Sequence, residues 1–255
     1  MNNIPSIAVI ICHYQQIDEL AKSLRSIACQ YHPPDEIIIV DDGSKEPPNI
    51  DAICKVYNLP IRLLLNSINN GGPSIPRNQA VSDCRCSHLI YLDSGDMLLP
   101  LTLHTLANIW QKTPFAIVYG DQICWGETVK APFLQEAGRL TRGLARDQNY
   151  TYKQMLMSGN LIFLSGSGGP KELFQLFPFD PDQRWEDFDL WLRLAKAGAK
   201  FVHTGSIHSF YHIKSGSRSG SKEARIQGCL DIQRKHLRAR PAWRWPLWYW
   251  KQRFL

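Results

Sequence analysis

Two aspartates, Asp93 and Asp96, are separated only by Ser94 and Gly95. They follow His88-Leu89-Ile90-Tyr91-Leu92, a short apolar run that reads as a buried strand, and precede Met97-Leu98-Leu99-Pro100, which leads into a helix. In open α/β sheets ligands collect at the carboxyl ends of strands. Paired carboxylates there can converge on a hard divalent cation that shares its other oxygen ligands with a substrate phosphate. Asp, Ser and Gly are also turn formers, so alone the same four residues read as a tight loop. Their company points to the first reading. His13 and Tyr14 follow the run Val9-Ile10-Ile11-Cys12, and Asp41-Asp42-Gly43-Ser44 follows Ile38-Ile39-Val40. Asn70-Gly71-Gly72 stands just ahead of Arg77-Asn78, and Trp185-Glu186-Asp187-Phe188-Asp189 comes later in the chain.

Each cluster has a chemistry of its own. The Arg77 guanidinium is a planar fork of donors suited to base or phosphate oxygens. Lying near a helix start, it occupies a position that its charge disfavours, which argues against an incidental surface arginine. Glu186 and Asp187 open a helix whose positive end favours ionised carboxylates, and an ionised carboxylate is what a general base must start as.

Elements must bring these residues to one edge. Ile7–Ile11, Glu36–Val40, Ile61–Leu65, His88–Leu92 and Phe115–Tyr119 read as strands. Ile17, Leu20, Leu24 and Ile27 repeat at helical spacing, and further helices are expected over Ile50–Tyr57, from about Arg77, over Leu101–Trp110 and over Glu186–Ala197, the last closed by Gly198. Strands alternating with helices imply βαβ units and a mostly parallel sheet. Loops or short strands are expected from Gly126 to Asp147, a flexible connection at Ser165–Pro170, a short strand at Phe201–His203 and a mobile loop at Ser215–Ser221. The glycines of 165–170 lack the spacing of a dinucleotide-binding fingerprint.

The ordered series over roughly residues 6 to 220 resembles the inverting family 2 glycosyltransferases. The resemblance implies a GT-A fold: an α/β, Rossmann-like, mostly parallel central sheet flanked by helices. Residues 1–125 would be the nucleotide-binding half and 126–225 the acceptor half of one domain spanning 1–225. It implies that His13 and Tyr14 lie beside the nucleotide, that Asp42 accepts the imide N–H of uracil, and that Arg77 joins the donor site. Asp96 would contact Mn²⁺ or Mg²⁺, with Asp93 on the ribose or a metal-bound water. Asp187 would be the base that takes the acceptor hydroxyl proton, with Glu186 orienting its surroundings. The donor would be a UDP-sugar and the acceptor a saccharide or lipid-linked saccharide in cell-surface polysaccharide assembly.

The sequence departs from the family at two places. Gly95 stands where the commoner form carries an acid. In Tyr211-His212-Ile213-Lys214-Ser215-Gly216-Ser217-Arg218-Ser219, Lys214 stands where the family often has histidine. Lys214 would bind donor phosphate, and His212 or His208 is left to supply an imidazole. The Gln-x-x-Arg-Trp motif of processive synthases is absent, so transfer of one sugar is expected. Two other readings are weaker. A nucleotidyltransferase would need a basic glycine-rich loop near the N-terminus, where Cys12-His13-Tyr14-Gln15-Gln16 stands. A membrane-associated scaffold that has lost turnover is suggested only by Gly95 and Lys214.

Composition adds location. The 255 residues are 44% hydrophobic and 20% charged, ordinary for a globular domain with a substantial core. Seven scattered cysteines suggest a reducing cytoplasm. Cys84-x-Cys86 lacks a second pair, so a zinc site is not expected there. No signal peptide or transmembrane run is expected. Residues 226–255 hold seven Lys/Arg against one acid, equal to the whole net charge of +6, and four of the eight tryptophans. This basic, aromatic C-terminal tail suits an anionic membrane surface. It suits nucleic acid less, because a neutral domain behind it offers no continuing groove. The expectation is a cytoplasmic protein, peripheral on the inner face of the plasma membrane.

Overall fold

The computed structural model describes residues 4–51, 57–126, 132–135, 152–160, 162–213 and 222–237. The chain begins β1 (Ile7–His13), α1 (Ile17–Ala28), β2 (Glu36–Asp41), β3 (Ile61–Leu65), α2 (Ser74–Asp83) and β4 (His88–Tyr91). It continues with β5 (Met97–Leu98), α3 (Thr102–Lys112), β6 (Ala116–Trp125), β7 (Phe133–Gln135), α4 (Tyr152–Ser158), β8 (Gly168–Pro170) and α5 (Lys171–Leu176). Last come α6 (Glu186–Lys196), β9 (Lys200–His212) and α7 (Lys222–Ile232), which runs into a π-helical turn at Gln233–Leu237.

The strands form one sheet in the order β3-β2-β1-β4-β8-β6-β9-β5, with β7 paired to β6. From β3 to β4 all pairing is parallel, and His13 is in register with Asp41. The chain steps outward from β1 to β3 and then returns to β4 on the other side of β1. That reversal opens a crevice beyond the carboxyl ends of β1 and β4, where ligands bind in such sheets.

Alternation along the strands builds two cores. Ile7, Val9, Ile11, Ile37 and Ile39 face α1 and α3, meeting Leu20, Leu24, Leu103, Leu106 and Trp110. Ala8, Ile10, Ile38 and Val40 face the other way, in one core with Ala80 and Val81 of α2 and Leu190, Trp191 and Leu194 of α6. Burial on both faces is why β1 and β2 read as nearly continuous apolar runs.

Two expectations are corrected. Ser165–Pro170 is not a flexible connection: it is buried, and Gly168–Pro170 is a central strand between β4 and β6. A side chain at Gly168 would put its Cβ 2.0 Å from the Leu89 carbonyl oxygen, so glycine is needed for the strands to approach. Likewise Phe201–His203 is only the start of β9, which runs to His212. Its polar residues hide the strand pattern, but they have partners. His203 Nε2 lies 3.0 Å from Asp121 Oδ1, and His208 meets the Gly166 carbonyl and the Thr204 hydroxyl at 2.7 and 2.8 Å.

Residues 226–237 of the expected tail pack onto the domain, with Ile232 and Leu237 fully buried. Residues 238–255, Lys214, the Ser215–Ser221 loop and most of the expected Ile50–Tyr57 helix lie outside the described residues. Among the described residues no helix is long and apolar enough to cross a membrane.

Candidate active site

The crevice collects nearly every polar cluster singled out above. His13 ends β1, is buried, and sets Nδ1 3.4 Å from Ser94 Oγ. Tyr14 beside it is exposed. Asp41 stabilises its own turn, accepting from the Ser44 amide and hydroxyl at 3.0 and 2.5 Å. The buried Asp42 carboxylate accepts from Asn66 Nδ2 (3.3 Å), Asn69 Nδ2 (3.2 Å), the Asn70 amide (3.0 Å) and Asn70 Nδ2 (2.5 Å). Those donors match the roughly four acceptor sites of a carboxylate. Asp42 therefore organises the loop after β3, a role its sequence position did not announce.

Arg77 joins two parts of the crevice. Its Nη2 donates to Asp93 Oδ1 at 2.7 Å and its Nη1 to Glu186 Oε1 at 2.8 Å, while the guanidinium lies 5.1 Å from the Phe179 ring centroid. The side chain is 4% exposed. Burial works against its charge, but Asp93 and Glu186 outweigh that and hold it firmly protonated. The fork expected to meet a ligand thus spans from the end of β4 to the first turn of α6.

Asp93 is 46% exposed at the mouth. Asp96 is buried, with Oδ2 accepting from Ser165 Oγ at 2.5 Å and Oδ1 from the His212 amide at 2.9 Å. Gly95 has φ +104°, a conformation that side chains rarely adopt, and its amide donates to Ser23 Oγ at 2.9 Å. The backbone therefore explains why no acid stands at 95. Of the two candidate imidazoles, His208 is committed to Gly166 and Thr204 inside the core, and burial lowers its pKa to about 4. His212 is the one beside Asp96; its ring stacks on Trp125 with centroids 4.4 Å apart and meets Glu19 Oε2 at 3.0 Å. Asp93 and Asp96 are the carboxylates that follow β4 in the crevice, with His212 beside Asp96 through its amide.

Asp187 begins α6 next to Glu186. Its Oδ2 accepts from Asn160 Nδ2 at 2.8 Å and its Oδ1 from the Phe188 amide at 2.8 Å. Burial, then the neighbouring Glu186 charge, pushes its carboxyl up to about 6. Asp189, two residues on, has another role. It is fully buried and accepts from Arg193 Nε (2.7 Å), Lys235 Nζ (3.0 Å) and His236 Nε2 (2.8 Å). It ties the C-terminal segment to this helix, and hydrogen bonds from that ring of donors outweigh burial to bring its carboxyl down to about 2.

Asn160, Ser165, Ser23, Asn66 and Asn69 are site residues that sequence reasoning missed, while Asn70 was singled out only as the start of Asn70-Gly71-Gly72. Only the asparagines left a trace, in the run Asn66-Ser67-Ile68-Asn69-Asn70.

The model of the family described as "Glycosyl transferase family 2" matches residues 8–167. A Campylobacter jejuni protein named GalNAc(5)-diNAcBac-PP-undecaprenol beta-1,3-glucosyltransferase is 25% identical over 234 residues, 86% of this chain and 70% of its own. Staphylococcus aureus TarS 1–349 in complex with UDP-GlcNAc superposes with TM-score 0.63 at 17% identity, over 89% of this chain and 66% of that one. Mannosyltransferase PcManGT from Pyrobaculum calidifontis, in complex with GDP-Man and Mn²⁺, superposes with TM-score 0.65 at 16% identity, over 93% and 66%. Some relatives are much longer: the chain spans 31% of one curated relative and 40% of one solved chain.

The Arg77 bridge generates a stability prediction. Arg77→Met leaves Glu186 beside Asp187 and Asp93 without its cation, and should cost about 3 kcal/mol in urea unfolding, the low end for a buried pair because Asp93 is half in solvent. Arg77→Lys should recover only part of this, since one ammonium cannot fork to both carboxylates. An unfolding midpoint unchanged in Arg77→Met would show that the bridge carries no stability.

Proposed function

The chain belongs to glycosyl transferase family 2 and is a glycosyltransferase of GT-A fold; from that premise we propose that it moves one sugar, with inversion, from a UDP-sugar to an acceptor hydroxyl. The observation that carries this reading is the placement of Asp187 at the first turn of α6, held by Asn160 and the Phe188 amide, with neighbouring Glu186 tied through Arg77 to Asp93 at the end of β4; burial pushes the Asp187 carboxyl up to about 6. A base with that value is ionised near neutral pH yet basic enough to draw a proton in the transition state. Asp187 takes the acceptor hydroxyl proton as that oxygen attacks the anomeric carbon and the bond to the nucleoside diphosphate breaks. Asn160 holds the carboxylate in place, and Glu186, fixed by Arg77, keeps the first turn of α6 against the donor side.

Asp93 and Asp96 are hard oxygen donors of the type that suits Mn²⁺ or Mg²⁺. Such an ion would supply Lewis-acid relief of the charge on the departing diphosphate. Asp42 is proposed on the uracil side of the donor, where a base would exchange with one of its asparagine donors for a carboxylate lone pair, with His13 and Tyr14 beside the nucleotide. Lys214 is proposed to meet donor phosphate. The acceptor class is a saccharide on a lipid carrier, supported by the undecaprenol-linked substrate in the name of the Campylobacter jejuni relative. Residues 238–255 hold five Lys/Arg, no acid and four tryptophans, a composition for the inner membrane surface where such an acceptor would be presented.

Four measurements test this reading. Asp187→Asn should lower kcat by about 10²–10⁴-fold with donor affinity nearly intact. In the wild type kcat/KM should fall as pH drops through about 6, because the raised carboxyl becomes protonated there and can no longer accept a proton. Retention of more than about a tenth of the activity in Asp187→Asn would remove it from the role of base. In calorimetric titration UDP should bind more tightly than GDP, and EDTA should weaken binding; equal affinities would exclude the Asp42 assignment. Full-length protein should co-sediment with anionic vesicles at low salt, and a chain ending at Leu237, which keeps the contacts of Lys235 and His236 with Asp189, should not. Equal sedimentation of the two would show that the tail is not the anchor.

A further inference from the structure

Cys84 and Cys86 lie at the opposite edge of the sheet from the crevice. Cys84 follows the C-terminus of α2, Cys86 shortly precedes β4, and both thiols are buried. Glu36, the first residue of β2, is buried against them, and one donor atom from each of the three residues lies within 4.8 Å of the others. Among the described residues no other trio of His, Cys, Asp or Glu donors gathers so closely. From the sequence Cys84-x-Cys86 looked incomplete, because its third donor stands 48 positions upstream.

We infer that Glu36, Cys84 and Cys86 form a binding site for a thiophilic divalent cation of the Zn²⁺ class. Two thiolates and a carboxylate are a ligand set that Zn²⁺ accepts, with a fourth vertex for water. A tetrahedral ion at about 2.3 Å from each sulfur sets the sulfurs about 3.8 Å apart, so a contraction of about 1 Å at most closes the trio. Binding releases two thiol protons to solvent and forms two metal–sulfur bonds, with no change of oxidation state. Two thiolates, one carboxylate and the dication sum to one negative charge.

The surroundings match that charge. Arg62 Nε donates to Glu36 Oε1 at 3.0 Å, and the Arg85 amide donates to Oε2 at 3.0 Å. Arg62 Nη2 also lies 2.9 Å from Oε1, so the guanidinium holds that oxygen and Oε2 is the one with a lone pair to offer. Lys171 Nζ reaches the Cys84 carbonyl at 3.2 Å, adding a second cation beside the sulfurs. The bound ion would clamp the start of β2 to the turn between α2 and β4. It needs no substrate, so this inference stands apart from the glycosyl-transfer reading.

Co²⁺, which reports thiolate ligation by colour, is the probe. Titrated into chelator-treated, reduced full-length protein, it should produce a thiolate-to-cobalt charge-transfer band that saturates at one equivalent. The band should survive Asp96→Ala, which alters only the crevice carboxylates, and disappear in Cys84→Ser/Cys86→Ser. Glu36→Gln should keep the thiols and weaken Co²⁺ binding by at least the ~10-fold that loss of a supporting ligand interaction costs. It also decides the matter if the double variant does not fold. Absence of the band in the wild type, a band unaltered by the double variant, or full affinity in Glu36→Gln would each overturn the site. A purified chain that carries a Cys84–Cys86 disulfide and takes up no Co²⁺ even after reduction would overturn it as well.

Discussion

The Arg77 guanidinium is the point on which the crevice depends. It is buried with two carboxylates on its forks, one from the end of β4 and one from the first turn of α6. A buried cation is tolerable only when paired and hydrogen-bonded, so Asp93 and Glu186 cannot move independently of it. The pairing fixes the distance between the sheet edge and the helix that presents Asp187. It also gathers several negative groups around one positive one. The Asp187 carboxyl is raised by burial first and by the Glu186 charge second, and Arg77 works against that rise.

Around this centre the remaining acids are separated by what solvates them. Asp42 is surrounded by amide donors and becomes the scaffold of a loop. Asp189 is enclosed by Arg193, Lys235 and His236 and is held strongly ionised. Asp187 has an amide on each oxygen but, among the described residues, no cation in direct contact, and burial raises it. Asp187 and Asp189 lie on one helix only two residues apart, yet one has the properties of a base and the other those of a structural anchor. The Asp189 cluster also places the C-terminal segment, through Lys235 and His236, on the same helix that carries Asp187.

The sheet makes these contacts possible through its least conspicuous strand. β8 carries only Gly168, Gly169 and Pro170, and the small residues let β4 and β6 come close enough for Ser165 to reach Asp96. β9, beyond β6 in the same sheet, brings the His212 amide to the same carboxylate. A glycine strand contributes little packing of its own. Its value is the proximity it permits between larger groups on either side.

The sequence by itself determined the strands β1, β2 and β4, the helices α1, α3 and α6, and the acids at their ends. Apolar runs, helical spacing and turn residues are local signals, and the order of Asp42, Arg77, Asp96 and Asp187 along the chain carried the family. The tertiary structure alone decided what those residues touch. Arg77 meets Glu186 across 109 positions, Asp96 meets His212 across 116, and Asn160 reaches Asp187 across 27. No local pattern encodes such pairs, because each depends on how two elements distant in sequence pack. The same holds for β8 and most of β9, whose glycine and polar residues carry no hydrophobic period, and for Glu36 beside Cys84 and Cys86. Burial decides the charge state of an acid as well, and burial is a property of the folded chain.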